Sequence, residues 1–90
     1  MTVVHNVEKS RFEIDLEGSV AIAEYIARGP LIIFTHTEVP EGFEGTGVGG
    51  QLASGALDYA REQQLRVVPL CPFIKAYIDR HPEYRDLVER

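Results

Sequence analysis

From Arg11 to Glu17, Phe12, Ile14 and Leu16 alternate with Arg11, Glu13, Asp15 and Glu17. A period of two is that of a strand with one wet face. Glu17-Gly18-Ser19 supplies a turn, and from Val20 to Ala27 both alternating sets are mainly apolar, which predicts a strand covered on both faces. Arg28-Gly29-Pro30 ends that strand. The next run, Leu31 to Val39, is β-branched and aromatic at its start and polar toward Pro40. These segments predict a short-looped antiparallel meander, with room for an edge strand around Thr2 to His5 before it.

The period then changes. Val48, Leu52, Ala56 and Ala60, flanked by Ala53 and Leu57, recur at helical spacing, while Asp58, Arg61, Glu62 and Gln63 take the other side. A β run, Val67 to Cys71, follows, and Ile74, Tyr77, Ile78 and His81 mark a second helix opened by Pro72 and closed by His81-Pro82. Asp86 to Arg90 fits a final helical turn. Strand, glycine loop, helix, strand is the order of a βαβ unit, so the Leu31 and Val67 strands are expected to be parallel around a crossover helix. The fold class is therefore α+β, a mixed architecture in which an antiparallel meander leads into a βαβ unit and a C-terminal helix.

Length and composition narrow the possibilities. Ninety residues and 44% hydrophobic content describe one small packed domain spanning 1–90. The net charge of -5 disfavours general attraction to nucleic-acid phosphates, and no basic stripe with interleaved aromatics is present. The single cysteine, Cys71, excludes an internal disulfide and any paired-cysteine metal site. With no signal-peptide pattern and no apolar run long enough for a membrane span, a cytoplasmic protein bound to neither membrane nor metal is the expectation.

The chemically informative segment is Glu44-Gly45-Thr46-Gly47-Val48-Gly49-Gly50-Gln51-Leu52, which runs from a strand straight into a helix. Glycines let backbone N–H groups approach an anion, and a helix N-terminus adds unsatisfied donors and the positive end of its dipole. The segment lacks the Gly-Lys-Ser/Thr of a P-loop and the spacing of a dinucleotide fingerprint. A flexible turn before a helix is the plainer alternative, although each of Gly49, Gly50 and Gly55 costs the helix about 0.5–1 kcal/mol relative to Ala. That cost calls for ligand approach or close packing as its reason.

On these residues the chain resembles the GNAT superfamily of acyl-CoA-dependent N-acyltransferases, whose loop between the fourth strand and third helix reads [Q/R]-x-x-G-x-[G/A], often R-G-x-G-[I/V]-G. Gly45-Thr46-Gly47-Val48-Gly49 matches from the second position on. His36-Thr37-Glu38-Val39-Pro40, the stretch Ala56-Leu57-Asp58-Tyr59-Ala60, and Cys71 to Tyr77 followed by Pro82 resemble the short, single-domain YjdJ-like subgroup, over residues from about Ser10 to the end. The resemblance implies a GNAT-like fold reduced in size and an N-acetyltransferase that uses acetyl-CoA as acyl donor. It assigns Thr37, Glu38 and Val39 to the pantetheine arm and thioester carbonyl, and Gly45, Thr46, Gly47, Val48, Gly49 and Gly50 to the pyrophosphate. Leu70-Cys71 is expected to splay from Glu38-Val39, with Tyr77 near the thioester sulfur. Glu44 departs from the usual Gln or Arg, and a carboxylate beside a diphosphate either turns to solvent or lowers affinity. Larger members wall the acceptor side with helices that have no counterpart between Phe12 and Leu31, so an open acceptor cleft is expected.

Transfer of an acyl group to an amine needs a deprotonated amine, a donor for the developing oxyanion and a proton for the leaving thiolate. Glu38 and His36 are candidate bases, acting directly or through water. Simple alternation puts both on the face of Ile32 and Phe34 unless a bulge resets the strand. The structural alternatives are a hydrogen-bonded, half-buried His36 and a surface Glu38. Cys71, at the start of the Pro72 helix, is a candidate nucleophile or proton donor, or an inert core thiol. Tyr77 is a candidate acid for the thiolate or a core residue of its stripe. Lys75, Arg80 and Arg61 are candidate partners of the cofactor's terminal phosphate, or a solvated face. The acceptor is an amine, either a small molecule or a protein lysine. A non-catalytic acyl-CoA or phosphate-ligand binding module stands as the alternative function.

Overall fold

The computed structural model describes residues 2–89. Five strands, β1 (Val3–Asn6), β2 (Arg11–Asp15), β3 (Val20–Arg28), β4 (Leu31–Glu38) and β5 (Arg66–Pro69), form one sheet in the order β1-β2-β3-β4-β5. β1 to β4 pair antiparallel, and β5 lies parallel to β4 after helix α1 (Val48–Glu62). Helix α2 (Pro72–Arg80) and a 3-10 turn over Pro82–Leu87 complete the chain's regular structure. This is the α+β arrangement of meander and βαβ unit that the period change predicts.

The core lies on one face of the sheet. Phe12, Ile14, Ala21, Ala23, Tyr25, Ile32, Phe34 and Val67 share a single buried cluster with Val48, Leu52, Ala56 and Leu57 of α1 and with Ile74 and Ile78 of α2. The expectation that β3 is covered on both faces holds only at Ile22. That residue is buried, though outside the cluster that joins helices to sheet, while Ile26 on the same far face is 50% exposed. In register, Ile22 lies between Glu13 of β2 and Glu38 of β4.

The last third departs from expectation in two places. β5 stops at Pro69, because the next N–H that could continue the ladder, that of Leu70, turns back to the Val68 carbonyl at 3.1 Å. Leu70 is then exposed, and Cys71 becomes the N-cap of α2 instead of a strand residue. The final helical turn lies earlier than Asp86 to Arg90. Pro82 starts it, Tyr84 and Leu87 bury against the core, and Val88 runs alongside Val67 in a parallel bridge. The Arg66 guanidinium fastens this segment by donating to the carbonyls of Asp86 at 2.9 Å and Val88 at 2.7 Å. Arg90 lies outside the described residues.

Candidate functional site

The site forms where β4 and β5 part. Their ladder runs from Leu31 opposite Arg66 to Phe34 opposite Pro69, and the Cys71 N–H makes a last bond to the Phe34 carbonyl at 2.9 Å. Beyond it, β4 continues toward Val39 while the other chain turns into α2. β4 also carries a bulge: Tyr25 faces Phe34 and Glu24 faces His36, so Thr35 opposes no residue of β3. A bulge bends a strand and resets its faces.

The reset separates the candidate side chains. Thr37 points with Ala23 toward the helices, where its hydroxyl lies 3.2 Å from Cys71 Sγ. His36 and Glu38 point to the far face, 54% and 65% exposed, with His36 Nε2 3.6 Å from Glu38 Oε2. Unmodified alternation, which groups them with Ile32 and Phe34, is thereby overturned. Their exposure also excludes the hydrogen-bonded, half-buried alternative for His36, whereas Glu38 is the surface charge that its alternative described.

On the helix side a cleft of about 410 Å³ opens between Thr37 and Val39 of the β4 end, the glycine segment and Phe73 of α2. The first turn of α1 faces it. Gly47 is the N-cap, no side chain caps the helix, and no acidic residue occupies the first turn. The Gln51 N–H is the first to reach back, to the Gly47 carbonyl at 3.0 Å, which leaves those of Val48, Gly49 and Gly50 ahead of the helical ladder. Three adjacent donors at a positive dipole end are suited to an anion.

The glycines serve two physical purposes. Gly45 and Gly47 have φ of 80° and 90°, with nothing near an added Cβ, so they are needed for backbone conformation. Gly49 and Gly50 are helical and lie beside aromatic rings, but only Gly49 is needed to make room for one. A Cβ on Gly49 would come within 2.6 Å of Phe73 Cζ, and one on Gly50 within 3.6 Å of Tyr77 Cε1. Of the two reasons anticipated for the helical cost, close packing applies at Gly49.

Not every predicted residue reaches the cleft. Gly45, Gly47, Gly49, Gly50, Thr37 and Val39 line it, Thr46 sits exposed beside it, and the Val48 side chain is wholly buried in the core. Cys71 is buried behind Thr37 at the N-terminus of α2. Tyr77 is half-buried against Gly50 and stacks on His81. Glu44 is exposed and still lines the cleft, so its departure from Gln or Arg bears directly on an anion there. Of the basic candidates, Arg61 binds Asp86 and the Glu83 carbonyl, and Lys75 pairs with Asp79 at 3.2 Å. Arg80, at the C-terminal end of α2, is exposed. Phe43 and Phe73 escape the sequence reading: a lone loop phenylalanine and one exposed helix position carry no periodic signal, and only the fold brings both to the cleft with the glycines. Among the described residues no three His, Cys, Asp or Glu side chains group as metal ligands, and no helix is long and apolar enough to cross a membrane.

The sequence profile of the family described as GCN5-related N-acetyl-transferase matches residues 11–87. The chain is 31% identical over 84 residues to Protein NATD1 of Mus musculus, covering 89% of this chain and 76% of that protein. It is 30% identical over 94 residues to Protein NATD1 of Danio rerio, covering 98% and 84%. Its fold is similar to the solution structure of a GCN5-like protein from Staphylococcus aureus, with a TM-score of 0.76, 26% identity, and coverage of 98% of this chain and 87% of that one.

Proposed function

Because the chain belongs to the GCN5-related N-acetyltransferase (GNAT) family, we propose that it binds acetyl-CoA in the cleft between β4 and β5 and transfers the acetyl group to an amine. The observation that carries this reading is the uncapped, glycine-opened first turn of α1 facing that cleft. Its N–H groups suit a diphosphate, and the apolar rings of Phe43 and Phe73 in the same cleft suit the flexible arm that follows one. Glu44 opposes the same ligand and sets a limit on affinity.

When bound, acetyl-CoA supplies an activated thioester. The residues of this chain then have separable tasks. Beyond Phe34 the edge of β4 that faces β5 has no strand partner, so main-chain groups of Thr37 to Val39 are free to orient the arm and donate to the thioester carbonyl. His36 and Glu38, on the far face, meet the acceptor from the opposite side of the sheet and take its proton, directly or through water. Tyr77, packed beside Gly50, gives a proton to the leaving sulfur, and Cys71 beside Thr37 is a second candidate for that task. The acceptor is an amine of a small molecule or a protein lysine. The open far face also fits a non-catalytic acyl-CoA binding module, which turnover distinguishes.

Calorimetric titration with acetyl-CoA tests the reading. Saturable binding is expected, and Thr46→Glu, at an exposed position beside the donors, is expected to weaken it by about two- to fivefold at low salt through repulsion of the diphosphate. Absence of binding by the intact chain would remove the proposal. Release of CoA with an added amine then separates transferase from binding module.

A further inference from the structure

We propose that His81 is a positioning residue for Tyr77, holding the phenol in the orientation in which it meets the leaving sulfur; this deepens the acyltransferase reading above and rests on it. Among the described residues no hydrogen bond fixes the Tyr77 hydroxyl, in contrast with those of Tyr25, bonded to His5, and Tyr84, which donates to Asp58 at 2.8 Å. Its direction is therefore set by packing of the ring. On α1 the ring meets Gly50, the third residue of the turn that faces the cleft, where a Cβ would stand 3.6 Å from Tyr77 Cε1. The nearest ring is the His81 imidazole, stacked at a centroid distance of 3.8 Å with planes 15° apart, and Tyr84 stands further off at 6.1 Å.

His81 is itself held at several points. Its Nδ1–H donates to the Tyr77 carbonyl at 2.8 Å, its backbone N–H donates to the Ile78 carbonyl at 3.1 Å, and its own carbonyl accepts from Tyr84 N–H at 3.0 Å. Pro82 then restricts the backbone that follows. The imidazole thus has one orientation, with its face on Tyr77. Proton transfer depends on placement to within about 1 Å, so a ring fixed by stacking and otherwise unbonded loses rate when the stack goes, even if the fold survives.

The test is CoA release from acetyl-CoA with hydroxylamine, an amine largely unprotonated near neutral pH, measured beside acetyl-CoA affinity. Tyr77→Phe and His81→Ala are each expected to slow release by about tenfold or more with affinity unchanged. His81→Phe keeps a flat ring without Nδ1–H and is expected to stay within about threefold of the native rate. In the Tyr77→Phe background, His81→Ala is expected to add less than about twofold. A native rate in His81→Ala, a native rate in Tyr77→Phe, or equal losses from His81→Ala in both backgrounds would overturn the proposal. Should the native protein bind acetyl-CoA without releasing CoA, the transferase reading fails, and the Tyr77 ring proton resonances decide the positioning claim. They move toward those of a free tyrosine in His81→Ala and hold in His81→Phe; unmoved signals in His81→Ala would refute it.

Discussion

Glu44 carries the plainest consequence at the scale of a single residue. It is exposed, yet lines the cleft into which the first turn of α1 points its free donors. A carboxylate there repels any phosphate the donors attract, and at an exposed position such repulsion is worth about 0.2–1 kcal/mol. Glu44→Gln is therefore expected to raise acetyl-CoA affinity by about two- to fivefold at low salt, with the gain shrinking as salt rises. Calorimetry at two ionic strengths checks both halves. His5 gives a second consequence. Its ring bonds the Tyr25 hydroxyl and stacks on Phe12 at 4.3 Å, and burial holds its pKa below the ordinary 6.5. The folded state thus favours neutral His5, and the unfolded chain binds the proton first. Stability from this site is whole above 6.5 and declines as pH falls from there toward the lowered folded value. Urea midpoints taken at about pH 7.5 and about pH 5.5 should differ less in His5→Phe, which keeps the stack without titrating.

Among the elements, α1 shows how glycine can invert the usual arithmetic. In mid-helix, Gly→Ala ordinarily stabilises by about 0.5–1 kcal/mol. At Gly55, however, a Cβ would meet three atoms of Val3 at 3.0, 3.0 and 3.1 Å, and Val3 is a stiff, β-branched residue of edge strand β1. Overpacking of that kind costs about 1–3 kcal/mol, so Gly55→Ala is expected to destabilise by about 1 kcal/mol in chemical denaturation. β2 and both helices were legible because each has one buried face and hence a clear period: Phe12 and Ile14 of β2, or Leu52, Ala56 and Leu57 of α1, follow their element's repeat and are buried. The bulge at Thr35 left no such trace. It arises from register against Glu24 and Tyr25, a relation between two strands that neither shows alone, and it moves His36 and Glu38 to the far face. The end of β5 left no trace for a related reason: Leu70 and Cys71 look like strand residues, while the Leu70 N–H turns back to the Val68 carbonyl and leaves the ladder.

For the molecule as a whole, charge and topology set how a ligand arrives. The net charge of -5 repels an anionic cofactor at long range, although the α1 donors attract it at contact. Stopped-flow association of acetyl-CoA is therefore expected to speed up as ionic strength rises from about 0.01 to about 0.15 M, the reverse of a basic, steered site. The glycine segment made one wall of the cleft legible from sequence, since glycines at a strand-to-helix junction mark where the chain must turn with positive φ, as Gly45 and Gly47 do. The other walls were not. Phe43, Phe73 and Thr37 belong to a loop, a helix and a strand that meet only because β5 lies parallel to β4 and returns the chain beside the first turn of α1. The central claim, that this turn and the parting of β4 from β5 form an acyl-CoA site, is tested most directly by following backbone amide resonances during titration with acetyl-CoA. The account predicts the largest shifts at Thr46 to Gly50, Thr37, Val39 and Phe73, with the β3–β4 hairpin around Gly29 unmoved; no shifts at saturating ligand, or shifts centred elsewhere on the sheet, would contradict it.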